Sequence, residues 1–291
     1  MTKAHVPPQC AGNEMLVTRS SLVEKGDRIE LGRAALGGIH FFGLCMDCNG
    51  AAGRFDREYK VLRDAMMPMW AQSWTLALPS DAVLPDVVVK PGDIARSILL
   101  GMCGVTPLIV DKWPSLPAQL MAPGSTLKLP SDLRLWLAQG RGMTARVAGP
   151  LGGFYVGGPK SLRRTGDGLP LGINSVASVF FPPLAWQLLH DGPTMLDPDG
   201  WADVSDWVSI PVGVAVNLRT LLGKLPYAAH PSHTPDDVDH WIEMSSDKIT
   251  PIVECASITG EEPDRLTARL LGERVSISSD ELDELRRRRG I

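Results

Sequence analysis

The spacing of apolar residues changes period several times along this chain, and each change marks an element. Over 56–74, Tyr59, Leu62, Met66, Met69 and Trp70 recur three and four apart, the pattern of an amphipathic helix that Pro68 is expected to kink. Upstream, 28–31 and 39–44 are short β-type runs on either side of Gly37-Gly38, which predicts a hairpin leading into that helix. Pro91-Gly92-Asp93 and Ser131-Asp132 carry residues favoured in first helical turns and predict two helix starts. From 142 to 256, runs of Val, Ile, Phe and Trp such as 173–181, 207–216 and 251–255 are cut by Gly and Pro and predict strands. Thr234-Pro235 predicts a helix over 236–245, and acids followed by arginines predict another over 280–289.

The elements add up to an α+β chain in four parts. A small ββα region occupies 1–75, short connecting helices 76–141, a larger and mostly β domain 142–275, and a charged helix 276–291. With 291 residues, 44% of them hydrophobic, the chain is long enough for one large core or two modest ones. Residues 171–189 carry no charge, but Pro182-Pro183 divides them, so two buried strands, or a strand and a helix, are expected rather than a membrane span. No membrane partner is therefore expected.

Charge and cysteine usage narrow the function. A net charge of −4 excludes a surface built wholesale for nucleic acid, so any such contact must be local. Five cysteines, an odd number spread over 10, 45, 48, 103 and 255, do not form the paired framework of a secreted protein, and the start Met1 to Pro8 lacks the apolar stretch of an export signal. A reducing cytoplasm is expected.

The chemistry concentrates in two short stretches. Ala4-His5-Val6-Pro7-Pro8 stands near the start, and Cys45-Met46-Asp47-Cys48-Asn49 follows some forty residues later, with Gly53, Asp56 and Tyr59 leading into the helix. This order resembles the treble-clef HNH endonucleases over roughly residues 1–70. The resemblance implies a hairpin, a cysteine knuckle and a helix, and metal-dependent hydrolysis of DNA or RNA phosphodiesters. It casts His5 as the general base and Asn49 as a ligand of a catalytic divalent ion, magnesium or manganese, with Cys45 and Cys48 in a structural zinc site. A neutral imidazole can take a proton from water near neutral pH, and a divalent cation can stabilise a pentacovalent phosphate. The family's upstream Cys-x-x-Cys has no counterpart here, Ala4 stands where its acidic ligand would, and no middle Asn is assigned. The chain is thus expected to be either a truncated domain, if the native gene starts upstream of Met1, or a degenerate, inactive member. The competing reading is a non-catalytic zinc-knuckle binding or assembly protein whose β domain meets a protein partner.

Other stretches are weighed against ordinary roles. Cys10 and His40 are the candidates to complete a non-standard zinc site. Asp236, Asp237 and Asp239 among His230, His233 and His240 suit a metal less well than the first turn of a helix, where acids meet the positive end of the dipole. Gly153 to Ser161 is a turn rather than a phosphate loop, because Pro159 removes an amide from the cradle. Lys160, Arg163 and Arg164, and Arg286 and Arg287 in the terminal arginine run, are the candidate nucleic-acid contacts.

Overall fold

The computed structural model describes residues 1–14, 17–21, 23–25, 28–30, 34–35, 37–72, 81–106, 108–124, 126–140, 145–149, 151–156, 172–190, 201–228, 240–244, 251–255 and 276–278. The elements in chain order are β1 (Thr2–His5), β2 (Val17–Ser21), β3 (Val23–Lys25), β4 (Arg28–Glu30), β5 (Ala34–Ala35), β6 (His40–Leu44), α1 (Met46–Gly53) and α2 (Asp56–Gln72). Then come β7 (Asp81–Val83), β8 (Val88–Val89), α3 (Pro91–Val105), α4 (Leu108–Lys112), α5 (Leu116–Met121), β9 (Leu133–Gly140), β10 (Ala145–Ala148), β11 (Leu151–Val156), β12 (Gly172–Phe181) and β13 (Leu184–His190). The remainder are β14 (Ala202–Asp203), β15 (Val216–Asn217), α6 (Leu218–Leu222), β16 (Lys224–Ala228), β17 (His240–Met244), β18 (Pro251–Cys255) and β19 (Ser276–Ser278), with 3-10 turns at Gln9–Ala11 and Ser205–Ser209. The fold is α+β.

Helix α3 is the centre of the molecule. Lys90 enters it in extended backbone and Pro91 takes the first turn, where its missing N–H costs nothing. Every α3 residue except Gly101 is buried, so the helix is enclosed on all sides rather than amphipathic. It packs against α1, α2, α4, α5, β1, β6, β12 and the 205–209 turn. Buried apolar residues from Ala4 to Leu225 form one continuous cluster around it.

The large sheet runs β5-β2-β18-β10-β12-β13-β9-β16-β7, with β11 joined to β12 and β17, and β14 to β9. Hairpin β12–β13 turns at Pro182-Pro183, pairing Phe181 with Leu184 and Val179 with Trp186. On β13, Leu184, Trp186 and Leu188 face the main core, while Ala185 and Leu189 join Phe180, Ala138 and Trp201 on the opposite face. Burial of both faces explains why this stretch carries no charge. Among the described residues no helix is long and apolar enough to cross a membrane.

Four expectations of local structure are corrected. Ser131-Asp132 opens strand β9 instead of a helix, because Leu133, Leu135 and Leu137 alternate with Arg134 and Trp136 and bury one face of the sheet. Stretch 207–216 is the 205–209 turn followed by Pro211 and Gly213, which break the run before β15. Residues 240–244 are strand β17, bonded to β11, in place of a helix. Finally, β4 pairs with β3 and β19, and the partner of β6 is β1, so the hairpin expected between 28–31 and 39–44 does not form. Pairing with β1 sets β6 against α3, where Leu44 is buried and Gly43 approaches the Gly104 backbone. Helix α2 matches the periodicity closely, burying Tyr59, Leu62, Met66 and Trp70 and running through Pro68. The helix expected over 280–289 lies outside the described residues.

Candidate functional site: the β1–β6–α1 unit

Strand β1 ends in His5 and pairs antiparallel with β6, which opens on His40, so the two histidines lie opposite one another. Strand alternation separates the two faces of this pair. Ala4 is buried toward α3, its Cβ near Gly104, whereas Lys3 and His5 belong to the other face. The His5 and His40 rings are 5.7 Å apart between centroids, and Phe42 meets His40 edge-on at the same separation.

The strands sit this close to α3 because of glycine. A Cβ on Gly43 would lie 2.1 Å from the Gly104 carbonyl oxygen, and one on Gly101 would meet Val6 Cγ1 at 3.2 Å. Backbone therefore rests on backbone where the hairpin crosses the helix.

His5 is anchored through one nitrogen. Its Nε2 lies 3.0 Å from the Gly37 carbonyl, and since a carbonyl only accepts, Nε2 carries the proton and Nδ1 keeps the lone pair. Burial pulls the His5 pKa below 6.5, outweighing the Gly37 bond that raises it, while Lys3 lowers it further and Glu14 raises it. The imidazole is thus neutral and basic at neutral pH.

Helix α1 follows β6 directly. Cys45 caps it, its Sγ accepting the Cys48 N–H at 3.1 Å, and Thr2 Oγ1 donates to the Leu44 and Cys45 carbonyls at 3.2 and 3.3 Å. One residue past Cys48, Asn49 Nδ2 donates to the Lys3 carbonyl at 3.0 Å. The helix carrying Asn49 is thereby tied to the strand carrying His5, two residues and about 7 Å of strand rise apart. The Cys48 thiol hydrogen-bonds the Cys45 sulfur and, with the Cys48 N–H, holds the Cys45 pKa below its usual value. The same contact, followed by burial, pushes the Cys48 thiol up.

These residues do not assemble a full metal site. Ala4 offers no donor atom, Cys10 is turned to the Asp56 carbonyl at 3.4 Å, and His40 Nδ1 is directed at the Gly38 carbonyl at 2.9 Å. Among the described residues, no three His, Cys, Asp or Glu side chains are grouped to hold a metal ion. Two thiolates are half of a tetrahedral zinc set, and one side-chain amide is a fraction of an octahedral magnesium set.

Sequence reading missed Asn13. This residue is fully buried, and its Nδ2 donates to the Pro7 and Ile39 carbonyls at 2.7 and 2.8 Å while its Oδ1 accepts the Ile39 N–H at 2.6 Å. It clamps the exit of β1 to the entry of β6, and so fixes the span that holds His5 opposite His40. Gly37 and Gly38 take positive φ there, and a Cβ on Gly38 would fall 2.1 Å from the Asn13 carbonyl oxygen. The Gly12-Asn13 pair after two prolines was the available signal, a turn dipeptide with an amide able to bond backbone.

A second polar cluster was also not anticipated. His190, at the end of β13, lies 3.1 Å from Asp132 Oδ2 and in contact with the Lys112 ammonium, and the Trp113 indole N–H donates to Asp132 Oδ1 at 3.3 Å. Burial pushes the Asp132 carboxyl up, but the Trp113 bond, a backbone bond and His190 outweigh it and hold it below the usual carboxylate range. The cluster ties α4 and the chain after it to the edge of β9 and β13.

Lys160, Arg163, Arg164, Arg286 and Arg287 lie outside the described residues, as do His230, His233 and the acids at 236, 237 and 239. Comparison with family models, with curated proteins and with solved structures found no match.

Proposed function

We propose that the β1–β6–α1 unit is the working part of an HNH-like phosphodiester hydrolase acting on DNA or RNA, with His5 as its general base. What supports this reading most is the Asn49 bond to the Lys3 carbonyl, which joins the helix bearing the amide to the strand bearing the imidazole. His5 has the form a base needs: neutral, anchored through Nε2–H on Gly37, with the Nδ1 lone pair left to take a proton from an attacking water. Asn49, held to the strand through Nδ2, is the amide proposed to assist at the reacting phosphate. Among the described residues no three His, Cys, Asp or Glu side chains are grouped to hold a metal ion. Magnesium and manganese enter as conditions of the assay.

The test is supercoiled plasmid and a single-stranded RNA incubated with the full chain plus magnesium or manganese. Nicking that disappears in His5→Ala, with folding retained by circular dichroism, is the expected result. Cutting that survives in His5→Ala overturns the assignment of the base. A second reading is a non-catalytic assembly protein, favoured by the incomplete ligand set and by exposed Phe42 and Met46 on this same unit. Absence of cutting with either metal on either substrate selects it.

A further inference from the structure

We propose that Cys45 and Cys48 form a dithiol–disulfide couple that exchanges with accessible disulfides, a role separate from hydrolysis and independent of the nuclease reading. Both cysteines are free thiols, Cys45 exposed and Cys48 partly covered. This is the asymmetry that thiol exchange uses, one sulfur open to attack from outside and a second behind it to resolve the adduct. The Cys48 N–H donates to Cys45 Sγ at 3.1 Å, which seats both cysteines in the first turn of α1 at the Cys-x-x-Cys spacing that closes a disulfide ring.

The surroundings support exchange over ligation. No third ligand is grouped with the pair among the described residues. Met46, between the two cysteines, is 74% exposed, and Phe42, three residues before Cys45, is 55% exposed. An apolar rim beside an open thiol suits the approach of a disulfide-bearing protein partner.

The reaction balances with a disulfide RSSR as the named oxidant. Cys45 gives its proton to solvent and its thiolate attacks one sulfur of RSSR. The RS–SR bond breaks, RS⁻ leaves and is protonated, and Cys45–S–SR remains. Cys48 then loses its proton, attacks Cys45 Sγ and expels the second RS⁻, forming the Cys45–Cys48 disulfide. Two electrons pass from the protein to RSSR, giving two RSH.

The experiment equilibrates the full chain in glutathione and glutathione disulfide buffers, traps thiols with a maleimide and maps the products by mass spectrometry. Expected is one intramolecular Cys45–Cys48 disulfide, with Cys10 and Cys103 still reduced. Cys48→Ser should instead accumulate glutathione on Cys45 to at least about ten times the wild-type level, because no resolving thiol remains. Cys45→Ser, which keeps a helix-capping oxygen at this position, should form no adduct at Cys48. Adducts spread evenly over Cys10, Cys45 and Cys48, or stable single adducts in the wild type, overturn the proposal. So does zinc that co-purifies at one or one-half per chain and protects both thiols. Because thiol mapping does not depend on nicking, failure here and failure of the hydrolase reading are read separately.

Discussion

Replacing Asn13 tests the clamp that positions His5. In Asn13→Ala the Ile39 carbonyl keeps the Val6 N–H at 3.1 Å, but the Pro7 carbonyl and the Ile39 N–H lose the partner that Asn13 supplied. Two buried groups stranded at about 1–3 kcal/mol each predict a loss of about 2–6 kcal/mol. Asn13→Asp is the sharper perturbation, since it keeps the acceptor for Ile39 N–H yet sets an oxygen against two carbonyls. A protonated carboxyl restores one donor, so the folded state raises this pKa above its unfolded value. The stability it lends is present below about pH 3.9 and is lost as pH rises through the folded pKa. Urea titrations followed by circular dichroism across that range, against wild type, measure both effects. An Asn13→Ala loss under about 1 kcal/mol, or an Asp variant that parallels wild type at every pH, refutes the clamp.

Other perturbations follow from the same unit. Gly43→Ala forces a methyl to 2.1 Å from the Gly104 carbonyl oxygen and should cost at least about 1–3 kcal/mol in thermal melts, whereas Gly50→Ala, with nothing within 4 Å in α1, should gain about 0.5–1 kcal/mol. His5, its pKa lowered by burial, contributes stability present above pH 6.5 and lost as pH falls through its folded value. His5→Gln, which keeps an N–H for Gly37, should therefore lose less stability than wild type on acidification, read by denaturation at several pH values. Asp56 is raised by burial and partly restrained by the Ser97 hydroxyl at 3.0 Å, so Ser97→Ala should raise it further, visible in a carboxylate NMR titration.

Sequence periodicity revealed those elements whose burial is decided locally. Helix α2 shows one apolar stripe, α3 begins at a proline suited to a first turn, and β12–β13 are charge-free because both faces are covered. Stretches where local chemistry and tertiary packing compete were misread. Ser131-Asp132 has the composition of a cap, but the leucine alternation after it wins by burying a sheet face. The β1–β6 pairing spans more than thirty residues, and its cause, glycine contact with α3, lies in a third element. The candidate site shows the same division. His5, Cys45, Cys48 and Asn49 were identifiable from residue type and spacing, and Asn49 does reach the His5 strand. Asn13 was not, because its role depends entirely on which backbone groups the fold brings to it.

The proposed role of His5, a base through Nδ1 while Nε2–H holds Gly37, is decided by rates of plasmid nicking for wild type and His5→Gln. Glutamine can keep the anchor but cannot accept and carry a proton, so the rate should fall by about a hundredfold or more at pH 7 with the fold unchanged. A His5→Gln chain that nicks as fast as wild type contradicts it.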